Sequence, residues 1–270
     1  MCEHCGCAIT DSGQAPAGVA YSHADPPTES VSVVRHLLAQ NDRLAAHNRQ
    51  HFDSYGVLAV NLMSSPGAGK TSLLESTIEA LAGRVRIAVI EGDLATENDA
   101  RRIRAKGVPA VQITTGSACH LDARMVHEAL HQLALEGLDL LFIENVGNLV
   151  CPASFDLGEH LAVTLLSVPE GDDKPQKYPV MFRAADLMLL TKCDFLPLLP
   201  EFDPARALSS LRAVGSDAPV IRLSSRTGDG LAAWCAWLNR QLTRLRENAP
   251  HSGPADDPLE RIAELPEIAG

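Results

Sequence analysis

The chain has no excess of positive charge: 23 Lys and Arg stand against 34 Asp and Glu, a formal net charge of −11. So acidic a chain has no bulk attraction for nucleic acid or for an acidic membrane surface, and neither is expected as a partner. It also lacks any apolar run of the roughly 20 residues that would span a bilayer. No charged-then-apolar leader opens it, so a cytoplasmic protein is expected. In that compartment the seven cysteines do not read as a disulfide framework. No internal repeat is present. What is there, 270 residues with 46% hydrophobic content, suffices for one globular domain with a sizeable core and tails.

An apolar run over 57–63 leads into Ser64-Ser65-Pro66-Gly67-Ala68-Gly69-Lys70-Thr71, and a helical pattern follows from Ser72. Strand, glycine loop, Lys-Thr and helix in that order form a phosphate-binding loop. The backbone N–H groups of Gly67 to Ser72 and the helix N-terminus present positive partial charge to an anion. Lys70 is expected to reach the β- and γ-phosphates and Thr71 to sit on Mg²⁺. Ser64 stands where the pattern has its first glycine. A chance glycine-rich loop is the competing reading, and the strand–loop–helix context argues against it.

Further apolar runs at 85–90, 110–114, 138–143, 161–168, 187–191 and 220–224 alternate with helical patterns at 72–82, 97–106, 122–135, 204–213 and 231–246. Continuous apolar strands separated by helices predict an α/β fold, a mostly parallel sheet flanked by helices. Four strand ends then carry polar motifs, where ligands collect in such sheets. Glu91-Gly92-Asp93 offers a carboxylate for Mg²⁺ or for the attacking water, with Asp93 the first choice. Glu144-Asn145-Val146-Gly147 has the spacing of the D-x-x-G motif of GTPases; Glu144 would reach magnesium and the Gly147 N–H the γ-phosphate. Thr191-Lys192-Cys193-Asp194 is a form of the guanine-reading N-K-x-D: Asp194 can accept two hydrogen bonds from guanine, and Lys192 would cover the base. Ser224-Ser225-Arg226 would offer backbone contacts to the guanine O6. Taken singly, a Lys-x-Asp is as often a solvated turn, and Asp93 could be a cap. Together and in order they favour GTP over ATP, with Lys70, Asp93 and Glu144 as catalytic candidates.

The cysteines are unevenly placed. Cys2, Cys5 and Cys7 crowd the first seven residues as C-x-x-C-G-C, a set of soft donors for nickel, zinc or copper(I). Incidental thiols on a frayed terminus are the plainer reading. Cys119-His120 and Cys151 follow other strands on the nucleotide edge and could form a second, incomplete metal set, completed across a homodimer axis; the alternative is that they are small buried hydrophobes. A γ-phosphate-sensitive loop at Glu144 would move Cys151, which lies only seven residues on. Cys193 and Cys235 read as structural. A helix is expected over 29–52, where His47 and His51 have i, i+4 spacing; exposed helix histidines are the favoured reading over a metal pair. The expected organisation is a metal-binding segment and linker at 1–28, a P-loop GTPase domain at 29–246 and a mobile tail at 247–270.

On Asn41-Asp42-Arg43-Leu44-Ala45, Ser64 through Thr71, Gly116 through Leu121, Ile143 through Pro152, Phe155-Asp156-Leu157-Gly158-Glu159 and Glu170-Gly171-Asp172-Asp173-Lys174-Pro175, the chain resembles the HypB family, GTPases that help insert nickel into [NiFe]-hydrogenase. The resemblance runs from about Glu29 to Leu238. It implies a SIMIBI-class P-loop fold, slow GTP hydrolysis and a homodimer promoted by GTP and metal. It also implies a nickel chaperone of the HypA type as partner and delivery to a hydrogenase large subunit. Cys2, Cys5 and Cys7 resemble the family's tight nickel site; Cys119, His120 and Cys151 resemble its G-domain site, which also takes zinc. Two features depart from the family: the linker has only His23 where some members carry a histidine-rich store, and the tail after Arg246 matches nothing in it. Ser65 stands where some SIMIBI ATPases carry a lysine. The alternatives are a GTPase serving another nickel enzyme such as urease, and a non-catalytic nickel or zinc store.

Overall fold

The computed structural model describes residues 28–248. Helix α1 (Thr28–Tyr55) leads. It is followed by β1 (Leu58–Ser64), α2 (Lys70–Leu81), β2 (Ile87–Asp93), α3 (Asn98–Ala105), β3 (Ala110–Thr114), α4 (Ala123–Leu130), β4 (Leu140–Glu144) and β5 (Leu161–Ser167). Short helices α5 (Lys174–Lys177) and α6 (Pro179–Arg183) precede β6 (Leu187–Thr191), α7 (Pro204–Ala213), β7 (Val220–Arg222) and α8 (Leu231–Asn248). The strands form one sheet in the order β3-β2-β4-β1-β5-β6-β7, and every pairing is parallel.

The sheet is covered on both faces, which is why its central strands are apolar at nearly every position. Alternate residues of β1 face opposite ways. Leu58, Val60 and Leu62 pack with Leu73, Leu74 and Ile78 of α2 and with Trp234 and Leu238 of α8. Ala59 packs with Ile90, Leu141 and Ile143 against Phe52 of α1 and Val126 and Leu130 of α4. Met63, at the end of β1, joins Met188, Leu190, Phe182 and Leu211 in a third cluster. The indole N–H of the fully buried Trp234 donates to the Thr77 hydroxyl at 2.9 Å.

The α/β expectation holds, and the sheet is wholly parallel. Several boundaries move. Helix α4 stops at Leu130, five residues short of the expected end, and Leu135 and Leu138 reach the core from irregular backbone. Residues 174–183, given no element from periodicity, hold α5 and α6, each too short for a helical repeat and each opening near a proline. Helix α8 runs to Asn248, two residues past the expected domain end. In α1 the mostly apolar stripe Val34, Leu37, Leu38, Asn41, Leu44 and Ala45 suggests a buried face, yet Leu37 is 56% exposed; the buried face is Ala45, Asn48, His51 and Phe52. Cys2, Cys5 and Cys7, most of the linker and residues 249–270 lie outside the described residues.

Candidate nucleotide and metal site

The glycine loop turns between the end of β1 and Lys70, the first residue of α2. Gly67 and Gly69 have φ of 75° and 102°, a conformation that side chains disfavour. That turn brings Lys70 back over the strand end. Its buried Nζ donates to Ser64 Oγ at 3.1 Å and lies 4.0 Å from Glu144 Oε1. Ser64, in place of a glycine, is thus a hydrogen-bond partner of the lysine. The Thr71 hydroxyl donates to Glu144 Oε1 at 3.0 Å. From β6, Thr191 donates to Ala68 O at 2.7 Å and Lys192 Nζ to Gly67 O at 2.6 Å, so the T-K-x-D stretch closes over the loop. Ser65 donates to the Glu170 carboxylate. A cavity of about 420 Å³ is lined by Lys70, Thr71, Asp93, Glu144, Gly147 and Lys192.

Two glutamates meet on its floor. The parallel pairing of β2 and β4 sets Glu91 beside Glu144. Both are buried, and each has one carboxyl oxygen, Oε2, without a hydrogen-bond partner. Burial first, then the neighbouring Glu144, pushes the Glu91 carboxyl up to about 11. Burial also raises Glu144, against the pull of Lys70. Like charges this close in a dry site share a proton rather than both ionise. Asp93 was preferred to Glu91 in the E-G-D stretch; the signal for Glu91 was that stretch at the end of β2, the next strand along the chain after the P-loop strand and its helix. Asp99 and Arg102 also line the cavity, and no motif pointed to them. Arg102 is held by Glu75 at 2.6 Å and Asp99 at 2.9 Å.

Asp93 lines the cavity, but its Oδ1 accepts the N–H groups of Ala95 at 2.9 Å and Thr96 at 2.8 Å. Burial pushes this carboxyl up, and those N–H groups with the Thr96 hydroxyl outweigh it and hold it below its ordinary value. One oxygen is therefore the loop cap that a lone aspartate predicts. Asp194 is engaged as well: Ser224 donates to its Oδ1 at 2.6 Å and Arg226 Nε to its Oδ2 at 2.9 Å. The Ser225 carbonyl accepts from Ser76 at 3.3 Å.

On the neighbouring loops, Cys119, His120 and Cys151 come together, all half-buried, with one donor atom of each within 4.8 Å of the others. The two sulfurs are 3.0 Å apart and share a hydrogen bond, and both thiols are free. That hydrogen bond, with burial, raises the Cys151 thiol. His120 stacks on Phe155 with centroids 4.0 Å apart, and burial holds its imidazole below the ordinary value, towards the neutral form. Two thiols and a neutral imidazole could hold a borderline ion. Asn148 ties this cluster to the glycine loop. Its N–H donates to Ser64 O at 2.8 Å and its side-chain amide to Cys119 O at 3.3 Å. Asn145 makes a second tie, its Oδ1 accepting from Leu121 N–H at 3.1 Å. Gly147 packs so closely on the loop that a Cβ there would lie 2.8 Å from Pro66 Cα.

A family model described as "CobW/HypB/UreG, nucleotide-binding domain" matches residues 58–222. A hydrogenase maturation factor HypB of Azotobacter vinelandii is 56% identical over 238 residues, covering 87% of this chain and 77% of that protein. The chain belongs to the HypB family. Another relative, the "Hydrogenase/urease maturation factor HypB" of Helicobacter pylori, is 42% identical over 82% of this chain and 90% of its own length. Among solved structures, HypB from Helicobacter pylori in complex with nickel superposes with a TM-score of 0.73 at 41% identity, covering 79% of this chain and 99% of that one. The HypB resemblance read from the motifs therefore stands. No helix among the described residues is long and apolar enough to cross a membrane.

Proposed function

We propose that the chain is a GTP-hydrolysing nickel metallochaperone that delivers Ni²⁺ to the large subunit during [NiFe]-hydrogenase maturation. The observation that carries this reading is Asn148, which bonds at once to the end of the glycine-loop strand and to the backbone of Cys119. Nucleotide and metal donors then share one mechanical element. The names of the relatives support hydrogenase maturation, and the nickel in the solved Helicobacter structure supports the cargo.

In this reading Gly67, Ala68, Gly69 and Ser72 hold the phosphates through backbone N–H groups, and Lys70 neutralises the β/γ charge. Lys192 and Asp194, with Ser224 and Ser225, select guanine; Arg226 is exposed and gives up Asp194 at small cost. The orphaned oxygens of Glu91 and Glu144 suit a cation on that floor. Thr71, Asp93 and Glu144 would hold Mg²⁺, which stabilises charge on the transferring phosphoryl group. Gly147 senses the γ-phosphate. Its contact with Pro66 and the Asn148 bonds pass that signal to Cys119, His120 and Cys151, where Ni²⁺ or Zn²⁺ is exchanged. Cys2, Cys5 and Cys7 hold nickel tightly in an N-terminal segment joined to the GTPase domain. The partners are a second copy, brought together by GTP and metal, a HypA-type nickel chaperone and the hydrogenase large subunit. The protein works in the cytoplasm.

The test is a competitive nickel and zinc titration of the full chain, of a variant with Cys2, Cys5 and Cys7 changed to Ser, and of Asn148→Ala. Each is run with and without a non-hydrolysable GTP analogue. The tightest nickel binding should vanish in the triple variant, and the remaining site should respond to the analogue. Asn148→Ala should cut that response about fivefold, the worth of about 1 kcal/mol in hydrogen bonds. If the remaining site ignores the nucleotide, the coupling is wrong. A second reading, urease maturation, is favoured by the name of the Helicobacter relative. Transfer to apo-urease, with none to apo-hydrogenase, would select it.

A further inference from the structure

Helices α1 and α4 each carry two histidines one turn apart: His47 and His51 on α1, and His127 with His131, the last at the C-cap of α4. Residues four apart in a helix share a side. The sequence favours exposed helix histidines here, because it cannot show that α1 packs on α4. That packing buries His51 and half-buries His47 and His127. His47 Nε2 and His51 Nε2 lie 3.0 Å apart. The His127 ring centroid is 5.2 Å from that of His47 and 6.1 Å from that of His51. One nitrogen from each of these three rings lies within 4.8 Å of the others. The His131 centroid is 4.9 Å from that of His127.

The chemistry of these rings is that of ligands. Burial first, then the neighbouring His131, His47 and His51, holds the His127 imidazole below its ordinary value, in the form that keeps a lone pair. Its tautomer follows from Asn48. The Asn48 amide nitrogen donates to Ala123 O at 2.8 Å and Leu157 O at 3.0 Å. Its Oδ1, 3.2 Å from His127 Nδ1, must therefore accept. His127 thus carries its proton on Nδ1 and presents the Nε2 lone pair. A buried carbonyl orienting one ring nitrogen is the usual support of a metal-binding histidine. A tetrahedral ion with bonds of about 2.0–2.1 Å spaces its nitrogens about 3.3–3.4 Å apart, so His47 and His51, 3.0 Å apart, need only open by a few tenths of an ångström while His127 closes in. A cavity of about 320 Å³ lined by His51, His127, His131, Tyr55 and Glu136 gives a path of entry.

We propose that His47, His51 and His127 form a further divalent transition-metal site, for Zn²⁺ or Ni²⁺, with His131 as the fourth ligand. An all-imidazole set suits these borderline ions and offers nothing to Mg²⁺, which demands oxygen. The site is separate from the Cys119, His120 and Cys151 cluster: that one precedes the N-cap of α4, Asp122, whereas His127 and His131 occupy the last turn and the C-cap. An ion there joins α1 to α4.

The test uses Co²⁺ as the probe on the full chain without an affinity tag, with Cys2, Cys5, Cys7, Cys119 and Cys151 changed to Ser. One equivalent should bind with visible ligand-field bands and no sulfur-to-cobalt charge transfer. His47→Gln and His127→Gln should each weaken that binding at least tenfold, the size of even an outer-shell loss. The same two substitutions in the otherwise unaltered chain cover the case where the cysteine-free variant does not fold. There, saturating Zn²⁺ should fall by one equivalent while the sulfur-to-cobalt bands persist and circular dichroism in chelator is unchanged. Cobalt binding equal in the histidine variants and their parents overturns the proposal, as does loss of the sulfur bands with the histidines.

Discussion

In the nucleotide pocket, Lys70, Glu91 and Glu144 sit where central strands meet the glycine loop, and each is less than a tenth exposed. In the cysteine cluster, Cys119, His120 and Cys151 sit on loops after β3 and β4 and are half-buried. The difference is in what holds each set ready. Buried charges need partners, so the pocket's groups are locked to one another: Lys70 to Ser64, Thr71 to Glu144, Glu144 to Glu91. A ligand arriving there exchanges one set of partners for another with little reorganisation. The half-exposed thiols need no such lattice, and an ion can enter and leave from solvent. Asn148 and Gly147 join the two regions, so rigidity on one side can be felt by exchangeable donors on the other.

The largest effect should separate the two. Lys70→Ala removes the one buried cation of the pocket and should lower GTP turnover by about 10²–10³-fold. Zinc affinity of the cysteine cluster, measured without nucleotide, should stay within about threefold; a larger loss would mean that the two regions are not separately built. Gly147→Ala strikes the joint. Its Cβ would meet Pro66 Cα at 2.8 Å and Pro66 N at 2.9 Å, backbone that cannot step aside. A cost of about 1–3 kcal/mol is expected, which thermal melting would read at about 2–4 °C per kcal/mol. The response of metal affinity to the GTP analogue should disappear with it.

The smallest effect tests the claim of a locked carboxyl pair. Glu91 binds its proton more tightly folded than unfolded, so the unfolded chain releases it first. Its contribution to stability is complete below about 4.5 and declines from there towards pH about 11. Glu91→Gln removes this slope. In chelator and without nucleotide, the variant should melt above its parent at pH 8, with the gap closing as the pH falls to about 4.5. A gap that does not depend on pH would show that Glu91 is not held protonated.

Much of the pocket was legible because its parts lie in short continuous stretches. Ser64 to Thr71 declare loop and helix start together, and Thr191 to Asp194 keep their spacing at a strand end. Cys119 and Cys151 could be named as neighbours because both follow strands at one sheet edge. What spacing could not show was the state of each group. Asp93 was expected to face the reaction, and one of its oxygens caps its own loop. Asp194 was expected to read a base, and here it is bound by Ser224 and Arg226. Glu91 went unchosen because its pairing with Glu144 is a matter of register between β2 and β4.

By itself the sequence determined the P-loop, the parallel α/β plan and the stock of soft donors, because these follow from local spacing and from runs of apolar residues that must be buried on both sides. Tertiary structure alone decided which carboxyls are buried side by side, that Asn148 links strand end to thiol loop, and that His47 and His51 meet His127. Those facts depend on distances between elements tens of residues apart, which only the packing of the sheet and its helices sets.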